Sequence, residues 1–255
     1  MLWCLACLPA AAWAQTAAKV LRIASPSETG FDPARAGDMA VPAQSPVAVH
    51  LSGFDPAFKS EMSDYDPARA RALLELHGYV DRDGDGWREQ PGGQPLVLEM
   101  ATQPNQQTRR FDELMKRDMN AIGLNIVFKP AQWPEQYKAA RAGKLMLWST
   151  QGRASSPDGL EGLLRYNGAA SGGINLSRFD LPQMNALIAR LLALPDGPER
   201  DAVFFEAKRL TAAWMPYKLR SHPVQVALMQ PWLVGYRQPL FWRNWFETVD
   251  VLPRP

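Results

Sequence analysis

Short apolar segments alternate with amphipathic helical patterns through the middle of this 255-residue chain. Glycines end the helical patterns, and Asp66-Pro67 has the residue types that open a helix. Parallel strands need a crossover connection, which is usually a helix, so this order predicts an α/β fold with a parallel sheet flanked by helices. The predicted elements are, in order, a helix from 67 ending at Gly78, a strand at 96–100, a helix at 107–121, a strand at 125–129, a helix at 134–142 and a strand at 145–148.

Charge and composition argue against a nucleic-acid-binding protein and against a disordered chain. The chain carries 28 Lys and Arg residues against 26 Asp and Glu residues, for a formal net charge of +2. A nucleic-acid-binding chain usually carries a basic excess clustered on one face, so nucleic acid is not expected as a partner. With 46% hydrophobic residues the chain can bury a core, which excludes disorder as its main state.

The N-terminal segment is apolar and uncharged. Residues 1–14 end in Ala12-Trp13-Ala14, a small-x-small pattern that signal peptidase accepts, so we expect a signal peptide there. The positively charged start that is typical of such peptides is absent. The chain's cysteines, Cys4 and Cys7, both lie in this segment, so the exported mature chain would have no cysteine and need no disulfide.

The last third of the chain predicts two more helices and a strand. Asp180 is expected to cap the first helix, and Pro198 to open the second, which ends before Pro216. Val224, Val226 and Leu228 alternate with Gln225 and Ala227, and this alternation predicts a strand at 224–228. The apolar faces of the two helices would be formed by Met184, Leu187, Ile188 and Leu191 in the first and by Val203, Ala207, Leu210 and Trp214 in the second.

One acidic segment has the spacing of a calcium loop. Asp81, Asp83 and Asp85 alternate with other residues, and Gly86 occupies the sixth place, as in the first half of such a loop. The twelfth place, which should hold a bidentate Glu, is Gly92. The alternative is a polar turn in which Asp and Gly supply the backbone angles, and we expect the turn, with calcium as a weak candidate.

The sequence gives little support to an enzymatic function. The chain has no G-x-G-x-x-G, P-loop, H-E-x-x-H or G-x-S-x-G sequence. Ser221-His222 leaves a hydrolase as an alternative, although no acid lies nearby in sequence to complete a triad.

A pocket is expected beyond the strand that ends at Trp148. Ligands of open parallel sheets bind outside the carboxyl ends of the strands, so residues 148–158 are candidates for a pocket wall. The alternative is that Trp148 belongs to the core.

Several segments in a fixed order carry a resemblance to a known family. They include Tyr65-Asp66-Pro67-Ala68-Arg69-Ala70-Arg71-Ala72-Leu73-Leu74, then His77-Gly78-Tyr79, Trp133 with Tyr137, and Trp214-Met215-Pro216-Tyr217. These segments resemble family 5 extracellular solute-binding proteins, the periplasmic peptide-binding subunits of ABC importers. The resemblance implies a periplasmic, non-catalytic protein without a cofactor that delivers a peptide or other small polar solute to a membrane permease. It also implies a periplasmic-binding-protein-like (type 2) lobe with a mixed, mainly parallel sheet.

The resemblance also implies a missing segment. Members of the family are longer, and the stretch between the N-terminal strand and the signature helix is absent here, so the first lobe would be largely missing. A truncated, non-functional remnant is therefore the alternative to a working binding protein. The implied domains are a signal peptide at 1–14, a strand and loop left from lobe one at 15–63, an α/β second lobe at 64–218 and C-terminal strands returning toward lobe one at 219–255.

Ligand contacts are expected just after the third strand. Peptide-binding members place an Asp there, which holds the amino terminus of the ligand by a charge-assisted hydrogen bond. Here no acid occurs until Asp158, and Arg153 would repel an ammonium group. A ligand with an anionic or neutral polar group therefore fits as well as a free peptide. Trp148 would stack on the solute, and Gln151, Arg153 and Asp158 would set its orientation.

Overall fold

A computed structural model describes residues 40–60, 63–150, 152, 154–223, 233–236, 241 and 249–252 of the chain. The predicted signal peptide, the predicted strand at 224–228 and two expected ligand contacts, Gln151 and Arg153, lie outside these residues. Among the residues that are described, no helix is long and apolar enough to cross a membrane.

A parallel sheet lies at the centre of the α/β region. The described strands are β1 (Ala40–Pro42), β2 (Val97–Thr102), β3 (Asn125–Pro130), β4 (Leu147–Trp148), β5 (Ser221–Pro223), β6 (Leu233–Val234) and β7 (Asp250–Val251). Three of them form a sheet in the order β3–β2–β4, with Leu98 paired to Ile126 and Ala101 to Trp148, all parallel. The predicted parallel sheet is confirmed. The antiparallel pairs, β1 with β5 and β6 with β7, form separate two-stranded ladders.

Five helices of the described residues follow the predicted order, and a sixth, the short helix Leu160–Leu164, was not predicted. They are α1 (Pro67–Leu76), α2 (Gln106–Asn120), α3 (Trp133–Arg141), α4 (Leu160–Leu164), α5 (Pro182–Ala193) and α6 (Pro198–Trp214). The Asp66 carboxylate accepts a hydrogen bond from the N–H of Arg69 at 2.8 Å, which satisfies one of the free donors at the start of α1. Gly78 has a φ of +79° just after the end of this helix. The sequence signals for α1 are therefore confirmed.

The prediction that Asp180 caps α5 is wrong. The helix begins at Pro182, and the residue at the N-cap position, Leu181, makes no side-chain capping bond. Asp180 instead accepts a hydrogen bond from Asn185 Nδ2 at 2.7 Å, and Asn185 Oδ1 accepts one from the N–H of Gly168 at 2.8 Å. The carboxylate therefore holds the side chain of Asn185, which in turn connects α5 to the turn at Gly168.

The buried apolar residues form two clusters. The first lies between the sheet and helices α1 and α2 and consists of Ala70, Leu74, Leu96, Leu98, Met100, Met119, Ile122, Leu124 and Ile126. The second lies among α4, α5, α6 and the loop before α1, and consists of Val47, Leu51, Leu160, Leu163, Tyr166, Met184, Leu187, Ile188, Leu191, Val203, Phe204 and Ala207. Val47 and Leu51 come from the segment at 15–63, so part of that segment packs against these helices.

Further contacts attach this segment to α6. Lys208, which is 2% exposed, donates a hydrogen bond from Nζ to the carbonyl oxygen of Gly53 at 3.0 Å. The ring of Phe204 packs directly against Gly53, where a Cβ atom would overlap it. Gly53 also has a φ of +73°, which disfavours any other residue. The loop therefore needs glycine at this position.

Substitution of Gly53 tests this attachment. We expect Gly53→Ala to lower the free energy of unfolding by about 3 kcal/mol, because the backbone strain and the overlap with Phe204 add. The matched control is Gly84→Ala, at a φ of +79° with no atom within 4 Å of its Cβ position, and it should lower stability by about 1 kcal/mol. Urea unfolding of both variants measures the difference, and equal losses would contradict the packing argument.

Candidate functional site

The carboxyl ends of the parallel strands bring the candidate site together. β2 ends at Thr102, and Ala101 beside it pairs with Trp148 at the end of β4. The helices that follow parallel strands start at this same edge of the sheet, as α2 does after β2 and α3 after β3. Side chains from several elements therefore converge there.

Gln136 connects the ends of two strands. It is 2% exposed, and its Nε2 donates to the carbonyl oxygen of Thr102. Its Oε1 accepts a hydrogen bond from Trp148 Nε1 at 2.9 Å. The half-buried Trp148 ring is therefore held in one orientation by a buried amide.

An aromatic surface on α3 adjoins Trp148. The rings of Trp133 and Tyr137 stack with their centroids 4.9 Å apart and their planes 8° apart. The Tyr137 ring also lies 6.3 Å from the Trp148 ring. Trp133 is 47% exposed, so this surface, which we name the aromatic surface of Trp133, Tyr137 and Trp148, is open to a ligand.

Polar groups lie at the same edge of the sheet. Thr102 Oγ1 donates a hydrogen bond to Asp112 Oδ2 at 2.6 Å. Burial raises the pKa of Asp112, although the Thr102 hydrogen bond and the charge of Arg220 act in the opposite direction. Arg220 also donates to Ser149 Oγ at 3.3 Å. A carboxyl group and a guanidinium group therefore flank the strand ends.

Sequence reasoning missed Asp112, Gln136 and Arg220 as site residues. Gln136 lies in the first turn of the helix that follows β3, so its topological position was a usable signal, whereas Asp112 lies in the second turn of the helix that follows β2. Arg220 reaches the edge from the residue before β5, and no local pattern indicates that.

Asp158 is separate from these contacts. Its two carboxylate oxygens accept hydrogen bonds from Arg200 Nη2 at 3.0 and 2.8 Å, and one of them also accepts from Ser52 Oγ at 3.2 Å. Gln151 and Arg153 lie outside the described residues, so Trp148 is the predicted ligand contact that the structure places at the strand ends. A ligand contact at Asp158 stays a prediction.

The buried side chain of Arg200 is the centre of a polar cluster whose acidic members reach the surface. Its side chain is 6% exposed, and besides Asp158 it bonds Asp196 Oδ1 at 2.7 Å and the carbonyl oxygen of Leu191 at 3.2 Å. Burial raises the pKa of Asp158, but the hydrogen bonds and charge of Arg200, with help from the backbone N–H of Leu160 and from Ser52, outweigh it and lower the pKa overall. The carboxylate is therefore held ionised.

The acidic loop after α1 is a hydrogen-bonded turn. Asp81 accepts hydrogen bonds from the N–H groups of Gly84 at 2.7 Å and Gly86 at 2.9 Å. Glu89 accepts from the N–H of Arg82 at 2.7 Å. These bonds are those of a polar turn, and calcium binding stays a prediction. The carboxylates that could offer ligand atoms within 4.8 Å of one another belong to Asp81, Asp83, Asp85 and Glu89.

Ser221 and His222 form part of β5, which pairs with β1. Burial lowers the pKa of His222, and no carboxylate among the described residues contributes to that shift. A triad needs a carboxylate that orients the imidazole, so the hydrolase hypothesis gains no support from these residues.

Comparison with known families gives a match in the middle of the chain. The sequence model described as "Bacterial extracellular solute-binding proteins, family 5 Middle" matches residues 34–173. The chain is 30% identical over 208 residues to di/tripeptide-binding protein 2 of Pseudomonas aeruginosa, covering 79% of this chain and 36% of that protein. It is 28% identical over 203 residues to heme-binding protein A of Haemophilus influenzae, covering 76% and 35% of the two chains. The chain thus spans about a third of the length of these curated relatives.

Solved structures share the fold. The periplasmic binding protein DppA from Helicobacter pylori, in complex with the peptide STSA, has a TM-score of 0.75 at 18% identity, over 92% of this chain and 44% of that one. The oligopeptide-binding protein AppA from Bacillus subtilis, in complex with a nonapeptide, has a TM-score of 0.76 at 14% identity, over 92% and 47%. At these identities the likeness concerns the fold, and this confirms the predicted periplasmic-binding-protein-like lobe.

The Arg200 cluster predicts a pH effect on stability. The folded-state pKa of Asp158 is lowered, so its contribution is present above the unfolded pKa of about 3.9 and is lost as the pH falls through the folded value. We expect Asp158→Asn to lower the free energy of unfolding at pH 7 by about 2 kcal/mol, because Arg200 loses one of its two acidic partners and keeps only Asp196. The stability difference between Asp158→Asn and the wild type, measured by urea unfolding, should become smaller at acid pH.

The matched control is Asp64→Asn, since Asp64 pairs with Lys59 at 3.0 Å on the surface with both side chains more than half exposed. An exposed pair contributes little, so the control should lose less than about 0.5 kcal/mol. Equal losses, or parallel pH profiles for Asp158→Asn and the wild type, would contradict the assignment.

A double-mutant cycle tests whether Gln136 holds Trp148. We expect Gln136→Leu to lower the free energy of unfolding by about 2 kcal/mol, because the indole N–H and the Thr102 carbonyl each lose a partner. Combined with Trp148→Phe, which lacks the N–H group, the coupling energy should be about 1 kcal/mol. A control cycle with Trp214→Phe on α6 should give additive losses, and additivity in the Trp148 cycle would remove the proposed link.

Proposed function

This chain belongs to family 5 of the bacterial extracellular solute-binding proteins, and on that premise we propose that it binds a peptide or other small polar solute at the carboxyl edge of the β3–β2–β4 sheet. The observation that carries the proposal is the fixed Trp148 ring, held by buried Gln136 beside the exposed Trp133–Tyr137 stack. A preoriented aromatic surface binds a planar or apolar part of a ligand with little loss of side-chain entropy.

Charged groups at the same edge would set the ligand's orientation. Asp112 offers a carboxylate for an ammonium or amide donor, and Arg220 offers a guanidinium for a carboxylate. Groups of both signs suit a zwitterionic solute such as a short peptide. Gln151 and Arg153, which follow Trp148 closely in sequence, would add polar contacts from the loop after β4.

We further propose that the chain acts without catalysis and without a cofactor. The relatives it matches are named as binding proteins, which supports this role. An exported chain cleaved after its signal peptide at 1–14 would hold the solute in the periplasm and deliver it to the membrane permease of an ABC importer. Nucleic acid is not an expected partner of a chain with this charge balance.

The chain matches only part of each related structure, and this bears on which part of a binding protein it corresponds to. The chain covers less than half of each solved structure compared, so we propose that it corresponds to the second lobe, at 64–218, with the pieces of lobe one at 15–63 and 219–255. Binding would then use one lobe without closure of a second lobe over the ligand. Less of the ligand is buried on an open face, so we expect modest affinity.

The alternative is a remnant of this family that binds no solute. The observation that favours it is again length, since the chain spans about a third of its curated relatives. A remnant would keep the packed helices and the sheet but would have lost the surface that completes the binding cleft.

Calorimetric titration of the full chain with unmodified di- and tripeptides tests the proposal. We expect saturable binding of at least one peptide, weakened about tenfold or more by Trp148→Ala, because stacking on the indole is lost. Trp214→Ala, on α6, where the ring lies against Phe179, is the matched control and should bind like the wild type. Affinity unchanged by Trp148→Ala would contradict the site, and no binding of any peptide would favour the remnant.

A further inference from the structure

A groove runs along the exposed side of α3. It has a volume of about 420 Å³ and lies between this helix and the turn that contains Gly172. It shares Tyr137 with the candidate solute site but no other residue named there. The lining residues are Pro134, Tyr137, Lys138, Arg141, Ala142 and Gly172.

Arg141 lies at one end of this groove. Its Nε donates a hydrogen bond to the carbonyl oxygen of Gly172 at 3.0 Å, and its guanidinium carbon lies 6.0 Å from the centre of the Tyr137 ring. A guanidinium has five N–H donors, and this bond uses one of them. The exposed side chain therefore keeps donors for a further partner.

Arg178 places a second guanidinium beside this groove, although it is not one of the lining residues. Its Nη2 donates to the carbonyl oxygen of Arg141 at 2.6 Å and would lie 3.6 Å from a Cβ atom on Gly172. The guanidinium also fills the space where Gly143 has no side chain, since a Cβ atom there would overlap Arg178 Nε. Both arginine side chains thus meet at Gly172.

The backbone at Arg178 is held in an unusual conformation. Its φ is +55°, a region that residues with a long side chain rarely adopt. The side chain of Arg178 is held separately, by its hydrogen bond to the carbonyl oxygen of Arg141.

The two guanidinium groups lack an acidic partner. Within the described part of the chain, none of the ion pairs includes Arg141, Arg178 or the neighbouring Lys138. Like charges brought together repel each other unless an anion lies between them. The planar donor forks of arginine match the oxygen atoms of phosphate and carboxylate groups.

We propose that this groove is a second binding site, in which Arg141 at the groove wall and Arg178 beside the groove hold the phosphate or carboxylate group of a small anionic ligand. Lys138 adds a third positive charge at the groove wall, and the Tyr137 ring gives an apolar surface beside it. The site does not depend on the proposed solute site, because the arginines take no part in the contacts of Trp148.

Calorimetric titration of the full chain with inorganic pyrophosphate and with citrate tests this proposal. We expect at least one of the two anions to bind with a stoichiometry near one, and the double variant R141Q/R178Q to weaken that binding tenfold or more. The variant R141K/R178K keeps both charges but not the forks, so it should restore part of the affinity. R141Q alone serves as a second test if the double variant unfolds, which a thermal melt will show.

The matched control is R69Q/R209Q, which removes two exposed helical arginines and the same net charge. It should leave anion binding unchanged. Equal weakening in the control and in R141Q/R178Q would assign the effect to net charge and overturn the site, as would the absence of saturable binding of both anions.

Sedimentation with vesicles of phosphatidylglycerol separates a lipid headgroup from a free phosphate as the source of the anion. Binding to vesicles through the same arginines would assign the headgroup.

Discussion

The buried guanidinium of Arg200 is the interaction on which the helical half of the molecule depends. It joins Ser52 in the loop before α1, Asp158 just before α4, and the carbonyl oxygen of Leu191 in α5. Arg200 itself lies in the first turn of α6, so four parts of the chain meet at one side chain. A buried charge is tolerated only with such complete pairing, and this requirement fixes how the loop and the helices pack.

A second buried polar group organises the sheet edge in a similar way. Gln136 satisfies a carbonyl group at the end of β2 and the indole N–H at the end of β4, so α3 is positioned relative to both strands. The same helix presents Trp133 and Tyr137 at a spacing of four residues, which places both rings on one side of it. Rigid backbone elements thus carry the aromatic surface, as precise binding requires.

The fold could be predicted from the sequence where the signals are local. The Asp66 cap, the apolar segments and the helix-ending glycines indicated the sheet and the helices around it, and Trp148 followed from its place at a strand end. Asp158 is predicted as a ligand contact from its place after β4, and its pairing with Arg200, which is distant in sequence, has no local signal. Contacts across the fold, such as that of Arg220 with Ser149, leave no periodic pattern and could not be found in this way.

The central claim is that this chain, although shorter than its relatives, holds a solute on the carboxyl edge of one sheet. Native mass spectrometry of the full-length gene product, isolated from the cells that make it, tests the claim most directly. We expect the mass of the chain, with or without its first 14 residues, to be accompanied by a peak heavier by one small polar molecule. A single peak at the mass of the bare chain, under conditions that preserve peptide complexes of a longer family member, would contradict the claim.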